Sequence, residues 1–206
     1  MKQSLYSSRS NLYLGFHGCD KAVGEKILQG ENLSPSNNSY DWLGHGVYFW
    51  ENNAQRALQF AEEAKKRNSS SIGEPFVIGA VLDLGYCLDL TDMECLAELK
   101  QSYDALKEAF DKAGKTLPCN KTIGKNGDLL LRDLDCAVIE FEHAINKEAH
   151  VREFDSVRGV FVEGDELYPG SGIKEKNHIQ ICIRNPNCIK GYFRPRDIEG
   201  NFSNPA

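Results

Sequence analysis

The sequence predicts an α+β domain, on three observations. Strand-like apolar runs sit towards both ends of the chain, two strong helical patterns fill the middle, and strands and helices do not alternate regularly enough to build a doubly wound parallel sheet. The 206 residues, 41% hydrophobic and 26% charged, have ordinary globular composition. They are read as one domain, 1–206, with a helical insertion at about 91–146. A chain of this length buries about 70% of its unfolded surface, enough for a core without staples.

The elements follow in order. Leu12 to Phe16 is a strand that runs into His17-Gly18-Cys19, and Asp20 caps a short helix carrying Val23, Ile27 and Leu28, stopped by Gly30. A Pro-, Ser- and Asn-rich loop covers Ser34 to Asp41. The glycines of Gly44-His45-Gly46 suit a tight turn ahead of a buried strand at Val47 to Trp50. Asn52 or Asn53 caps the next helix, where Ala54, Ala57, Leu58 and Ala61 recur at helical spacing.

Asn68 to Gly73 reads as a loop, Phe76 to Leu82 as a strand and Cys87 to Leu90 as its continuation. Thr91 with Glu94 forms a capping box ahead of a helix on which Leu96, Leu99, Tyr103, Leu106 and Phe110 make one apolar face, ended by Gly114. Leu117 to Gly127 is loop, and Leu131, Leu134, Val138, Phe141 and Ile145 mark a further helix. Strands at Val157 to Val162, His178 to Arg184 and Ile189 to Phe193 close the chain, with an acidic loop from Glu163 to Asn177 between the first two.

Several function classes are excluded or disfavoured. Thirty acidic residues against twenty-four basic ones give a net charge of −6, which argues against bulk electrostatic binding to nucleic acid or an anionic membrane. Short clusters, Lys121, Lys125 and Arg132 or Arg152 and Arg158, are the candidates for a local basic track. No apolar run is long enough for a membrane helix and the N-terminus lacks a signal peptide, so the chain reads as unprocessed and cytoplasmic. Seven cysteines without C-x-x-C spacing point to free thiols rather than a disulfide framework or zinc site. There is no phosphate-binding P-loop, no H-E-x-x-H and no nucleophile elbow, and no metal is expected.

What remains is a polar constellation near strand ends. His17 follows an apolar strand, Tyr48 lies in a glycine-led one, and on the last long strand His178, Gln180 and Cys182 face away from Ile179, Ile181 and Ile183. Taken alone, each fits a core or edge position. Their order resembles a family, the H-Y-E class of ADP-ribosyltransferases that includes the poly-ADP-ribose polymerases and diphtheria toxin. Leu14-Gly15-Phe16-His17-Gly18 is similar to its first motif and Asn32-Leu33-Ser34-Pro35 to the segment entering the donor-side loop. Gly44-His45-Gly46-Val47-Tyr48-Phe49 resembles its G-x-G-[IV]-Y-F motif, followed by an alanine-rich helix. Phe76 to Leu90 resembles its next strand pair, and Gln180-Ile181-Cys182-Ile183-Arg184 falls where the polymerases have Glu and an apolar strand. The likeness spans about Leu12 to Leu90 and Val157 to Pro195 and leaves the insertion uncovered.

The resemblance implies a split β-sheet core with flanking helices, and NAD as donor of a single ADP-ribose. It implies that His17 binds the adenosine ribose, that Gly18 offers its backbone to the nicotinamide carboxamide, and that Tyr48 stacks on the ring with Phe60 on its other face. Gln180 departs from the pattern. It keeps one hydrogen-bond acceptor but loses the carboxylate charge, which disfavours chain elongation. His178, or a carboxylate from Glu163, Asp165, Glu166 or Glu175, is a candidate substitute. The acceptor is a macromolecule, protein or nucleic acid. The small size suits a bacterial or phage-related toxin or effector with a neutralising partner protein. An inactive NAD-binding domain and an NAD glycohydrolase are the alternatives.

Overall fold

The computed structural model describes residues 12–67, 71–123 and 127–196; the opening MKQSLYSSRSN, Lys125 and part of the expected 68–73 loop lie outside them. In chain order the elements are β1 Leu12–Asp20, α1 Lys21–Leu28, β2 Val47–Glu51, α2 Ala54–Lys65, β3 Pro75–Asp83, β4 Cys87–Asp89, α3 Met93–Lys112, β5 Lys121–Thr122, β6 Leu129–Leu131, α4 Asp133–Glu148, β7 Ser156–Phe161, β8 His178–Ile183 and β9 Ile189–Phe193. The fold is α+β, with one seven-stranded sheet in the order β4-β7-β8-β2-β1-β3-β9 and a separate β5–β6 hairpin.

Local chemistry explains most boundaries. The Asp20 carboxylate accepts from Ala22 N and caps α1, and Asn53 accepts from Arg56 N and caps α2. The cap of α3 is Asp92, whose Oδ1 accepts from Glu94 N and Cys95 N. Thr91, the expected cap, is instead drawn back to Asp89, its N–H and hydroxyl both donating to Asp89 Oδ1. β1 is longer than expected and runs through His17 and Gly18, so these two residues lie inside a strand rather than at its end. The expected 117–127 loop contains β5.

The central strands bury both faces. Cys182 joins Trp42, Leu43, Leu88, Ile139, Phe154, Val157 and Phe161 in one core, while Ile181 and Ile183 join Phe49, Leu82 and Leu84 in the other. β4 and β7 lie side by side and parallel. A parallel pair needs a crossover, so the expected insertion is the connection that carries the chain from β4 to β7. Its helices α3 and α4 pack through a polar layer as well as an apolar one: Ser102 Oγ donates to Glu142, and Asn146 Nδ2 donates to Glu142 Oε1 at 2.8 Å.

Burial, then the charge of Glu142 and a hydrogen bond with it, push the Glu98 carboxyl up to about 7. The folded chain therefore binds more protons than the unfolded one between the ordinary carboxyl range near 4.5 and about 7, and stability falls as pH rises through that window. Glu98→Gln is expected to melt a few degrees above wild type at about pH 8 and together with it near pH 4.5. Thermal melts at the two pH values check this; an equal gap at both would refute it.

The basic residues singled out by sequence do not form a track among the described residues. Arg158 is buried, its Nε 2.6 Å from Glu51 Oε2 and its Nη1 3.2 Å from Asp89 Oδ2. Arg152 pairs with Asp155 and Lys121 with Asp133. Arg132 lies over the rings of Trp42 and Phe161. Burial and pairing consume the charge that the sequence displays.

Candidate functional site

The site begins where the sheet parts. β1 pairs with β3 along its whole length, from Leu12↔Asp83 to Asp20↔Pro75, but with β2 only at Gly15↔Glu51 and Phe16↔Trp50. Beyond those pairs β1 and β2 diverge, and a cleft of about 690 Å³ takes in His17 and Gly18 from β1, Tyr48 and Trp50 from β2, Phe60 from α2 and Gln180 from β8. The five candidate site residues His17, Gly18, Tyr48, Phe60 and Gln180 thus line one cleft.

One bond spans the gap. His17 Nδ1 lies 2.8 Å from the carbonyl of Tyr48; a carbonyl only accepts, so Nδ1 carries the proton and Nε2 keeps its lone pair. Burial lowers the His17 pKa, the bond to Tyr48 opposing, and the ring is therefore neutral at physiological pH. Gly18 is buried against α2, and a Cβ there would sit 2.0 Å from the Ala57 carbonyl oxygen. Only glycine lets the helix approach the strand this closely.

The Tyr48 phenol staples the 41–46 turn. It accepts from Leu43 N at 2.9 Å and donates to Gly44 O at 2.8 Å, and burial raises its pKa far out of the working range. Gly44 has φ +76°, a conformation glycine adopts without strain. From the other side Glu140 accepts from His45 N at 2.7 Å and pairs with Arg184. The tyrosine ring is thereby fixed as a platform. Phe60 packs on Trp50 with ring centroids 4.9 Å apart, making a second aromatic wall.

Gln180 is held by a residue that sequence reasoning did not select. Trp42 Nε1 donates to Gln180 Oε1 at 2.6 Å. Trp42 lies two residues before the glycine turn, but nothing in the sequence signals a contact across 138 positions. Missed as well were Trp50 and Arg56, and Ile123, Leu130 and Leu131 of the insertion, all of which line the cleft together with Glu163, one of the acidic-loop candidates. The β5–β6 hairpin is tied across it by Asp128 Oδ2, which accepts from Gly164 N at 2.8 Å.

This chain is similar to the uncharacterized protein MJ0359 of Methanocaldococcus jannaschii, 26% identical over 193 residues that span 85% of this chain and 83% of that protein. No protein-family model matches the chain, and no solved structure does.

The far end of the cleft is charged. Arg56, only 8% exposed, sets Nη2 3.0 Å from Glu163 Oε2, and Lys176 lies 2.8 Å from Glu63 and 3.7 Å from Glu163. The candidates to replace a carboxylate at Gln180 sort on the β7–β8 ladder. Gly159 pairs with Gln180, Phe161 with His178, and Lys176 N donates to Glu163 O one step further. Four residues at ~3.3 Å each put Glu163 about 13 Å along the ladder from Gln180, beyond hydrogen-bonding reach of its position.

His178 lies between them, buried, with Nδ1 2.6 Å from Lys176 O and its ring stacked on Phe161. Burial lowers its pKa first. Asp165, Glu166 and Glu175 are exposed on the loop and line no part of the cleft. None of these groups shares the ladder position of Gln180.

The site offers a neutral imidazole, a closely approached backbone, two aromatic walls and a neutral amide. Among the described residues no cluster of three His, Cys, Asp or Glu side chains is arranged to hold a metal ion, and no helix is long and apolar enough to cross a membrane. Cys19, Cys95, Cys119, Cys136, Cys182 and Cys188 are free thiols. Cys182 and Cys136 are buried in the core, and burial raises the first thiol far above the thiolate range and the second to about 12, which keeps both protonated at neutral pH.

Proposed function

We propose that the chain is a mono-ADP-ribosyltransferase that takes NAD⁺ as donor and a macromolecule, protein or nucleic acid, as acceptor. One observation carries the reading. Residues from β1, β2, α2 and β8, up to 163 positions apart between His17 and Gln180, line a single cleft at the point where two strands part.

The chemistry of the walls suits the donor. A flat cationic pyridinium gains from aromatic faces such as Tyr48 and Phe60, and its carboxamide matches the backbone amide and carbonyl of Gly18. Neutral His17 keeps the Nε2 lone pair to accept from a ribose hydroxyl. In the transfer the bond from C1′ to the nicotinamide nitrogen breaks and its electron pair leaves with nicotinamide. The acceptor's lone pair forms the new bond at C1′, and its proton passes to solvent.

Gln180 supplies no negative charge for the cationic ribose or for a second hydroxyl. The loss of one such electrostatic interaction costs about two to three orders of magnitude in rate, which favours slow transfer of one unit over polymer growth.

Incubation with adenylate-labelled NAD⁺ and separate pools of cellular protein, RNA and DNA tests the reading. Label is expected in one pool, with stoichiometric nicotinamide, and His17→Ala is expected to abolish both. Free ADP-ribose with no labelled pool would make the protein a glycohydrolase, and NAD⁺ bound but intact would make it a binding domain. Full activity in His17→Ala would remove the reading.

A further inference from the structure

The polarity of Gln180 is set by its neighbour. An indole N–H only donates, so the amide atom 2.6 Å from Trp42 Nε1 is the oxygen, and one lone pair of the Gln180 oxygen is already taken within the protein. Its Nε2 makes no hydrogen bond within the described protein and is not among the buried unpartnered atoms; Gln180 lines the cleft, and the NH₂ is the polar group it presents there. Trp50 faces Gln180 directly across the β2–β8 pair, yet its own indole N–H has no hydrogen-bond partner among the described residues. The choice of Trp42 is therefore built rather than imposed by proximity alone.

Three contacts seat Trp42. Gly159, paired with Gln180 on β7, has no Cβ where one would lie 2.7 Å from the indole edge. The Phe161 ring meets the indole edge-on at 5.1 Å. From the insertion, the Arg132 guanidinium covers both rings, 5.0 Å from Trp42 and 4.4 Å from Phe161, while its Nε donates to Leu129 O.

We propose that Trp42 is a positioning residue which fixes Gln180 as a hydrogen-bond donor, so that this corner of the cleft recognises a lone pair on its substrate: a carbonyl oxygen, a ring nitrogen or a hydroxyl oxygen. A carboxylate at the same position would demand a donor from the substrate. The crossover insertion, through Arg132, thus takes part in setting what the cleft recognises. The functional half of this proposal rests on the transferase reading; the contact itself does not.

The chain has two tryptophans, so a ¹⁵N-labelled sample of the full protein gives two indole N–H resonances, and Trp42→Phe assigns them. Gln180→Met is expected to move the Trp42 indole proton upfield and leave that of Trp50 in place. An unmoved Trp42 signal would overturn the proposal whether or not the protein turns over NAD⁺. For function, Trp42→Phe frees the amide to rotate and is expected to slow nicotinamide release about tenfold in kcat, with KM for NAD⁺ nearly unchanged.

A carboxylate has two equivalent oxygens and needs no such orientation. In a Gln180→Glu background the same Trp42→Phe change is therefore expected to cost less than about twofold. An equal cost in both backgrounds would make Trp42 merely structural. If no form releases nicotinamide, the transferase reading and the functional half of this proposal fall together, and the indole resonance still decides the contact.

Discussion

On the proposed transferase function, Gly18→Ala is expected to lower nicotinamide release from NAD⁺ by about a hundredfold or more, and in any case to reduce the melting temperature. The added methyl would lie 2.0 Å from the Ala57 carbonyl oxygen and 2.9 Å from its carbon. Both are backbone atoms of α2, so no side chain can rotate out of the way and the helix must back off from β1. That helix carries Phe60 and Arg56 into the cleft, and retreat separates Phe60 from the Tyr48 platform. A misplacement of about 1 Å in a reacting pair costs on the order of a hundredfold in rate, and overpacking of this kind costs roughly 1–3 kcal/mol in stability. Nicotinamide release by chromatography and a thermal melt of the same sample read the two effects. A variant that melts early yet releases nicotinamide at the wild-type rate would show that the α2–β1 contact serves stability alone.

Much of this architecture is legible in the sequence where a local rule governs it. The alternation on β8 separates Gln180 and Cys182 from Ile181 and Ile183, and the structure sends the two sets to opposite faces. Asp20 and Asn53 cap the helices they precede because a short polar side chain in front of an apolar pattern has few other uses. Competition between local rules is harder to read. Thr91-x-x-Glu94 has the form of a capping box, but Asp89 offers Thr91 a carboxylate two residues away and Asp92 takes the cap.

Long-range placement is not encoded in any window of sequence. β4 lies parallel to β7, across a connection that reads from sequence as an insertion. Trp42 reaches Gln180 only because Gly159 clears the space and Arg132 fills the other side. The charges that were candidates for a basic track show the same limit, since a surface Arg and a buried one are spelled alike.

Arg158 is the sharpest instance, and Arg158→Ala is expected to destabilise the protein by about 3–5 kcal/mol. The guanidinium makes two bonds to Glu51, Nε at 2.6 Å and Nη2 at 3.1 Å, and reaches Asp89 at 3.2 Å. It thereby ties β2, β4 and β7 together at the level where Glu51 also pairs with Gly15 of β1. The Glu51 and Asp89 side chains are 13% and 5% exposed, so truncation removes from two largely buried carboxylates the guanidinium they share. Net stabilities of single domains are about 5–15 kcal/mol, and a loss of this size removes a large fraction of the whole.

Arg158→Lys separates charge from geometry: one ammonium keeps the cation but cannot fork to both carboxylates, and a loss between those of wild type and Ala is expected. Urea unfolding followed by circular dichroism measures all three chains. If Ala and Lys unfold at the wild-type midpoint, the pairs at Arg158 do not hold the strands together. The nearness of Glu51 to the two register pairs of β1 and β2 then carries a functional consequence. Loosening this end of β2 frees the strand that presents Tyr48, so on the proposed function NAD⁺ affinity is expected to fall in step with stability across the series.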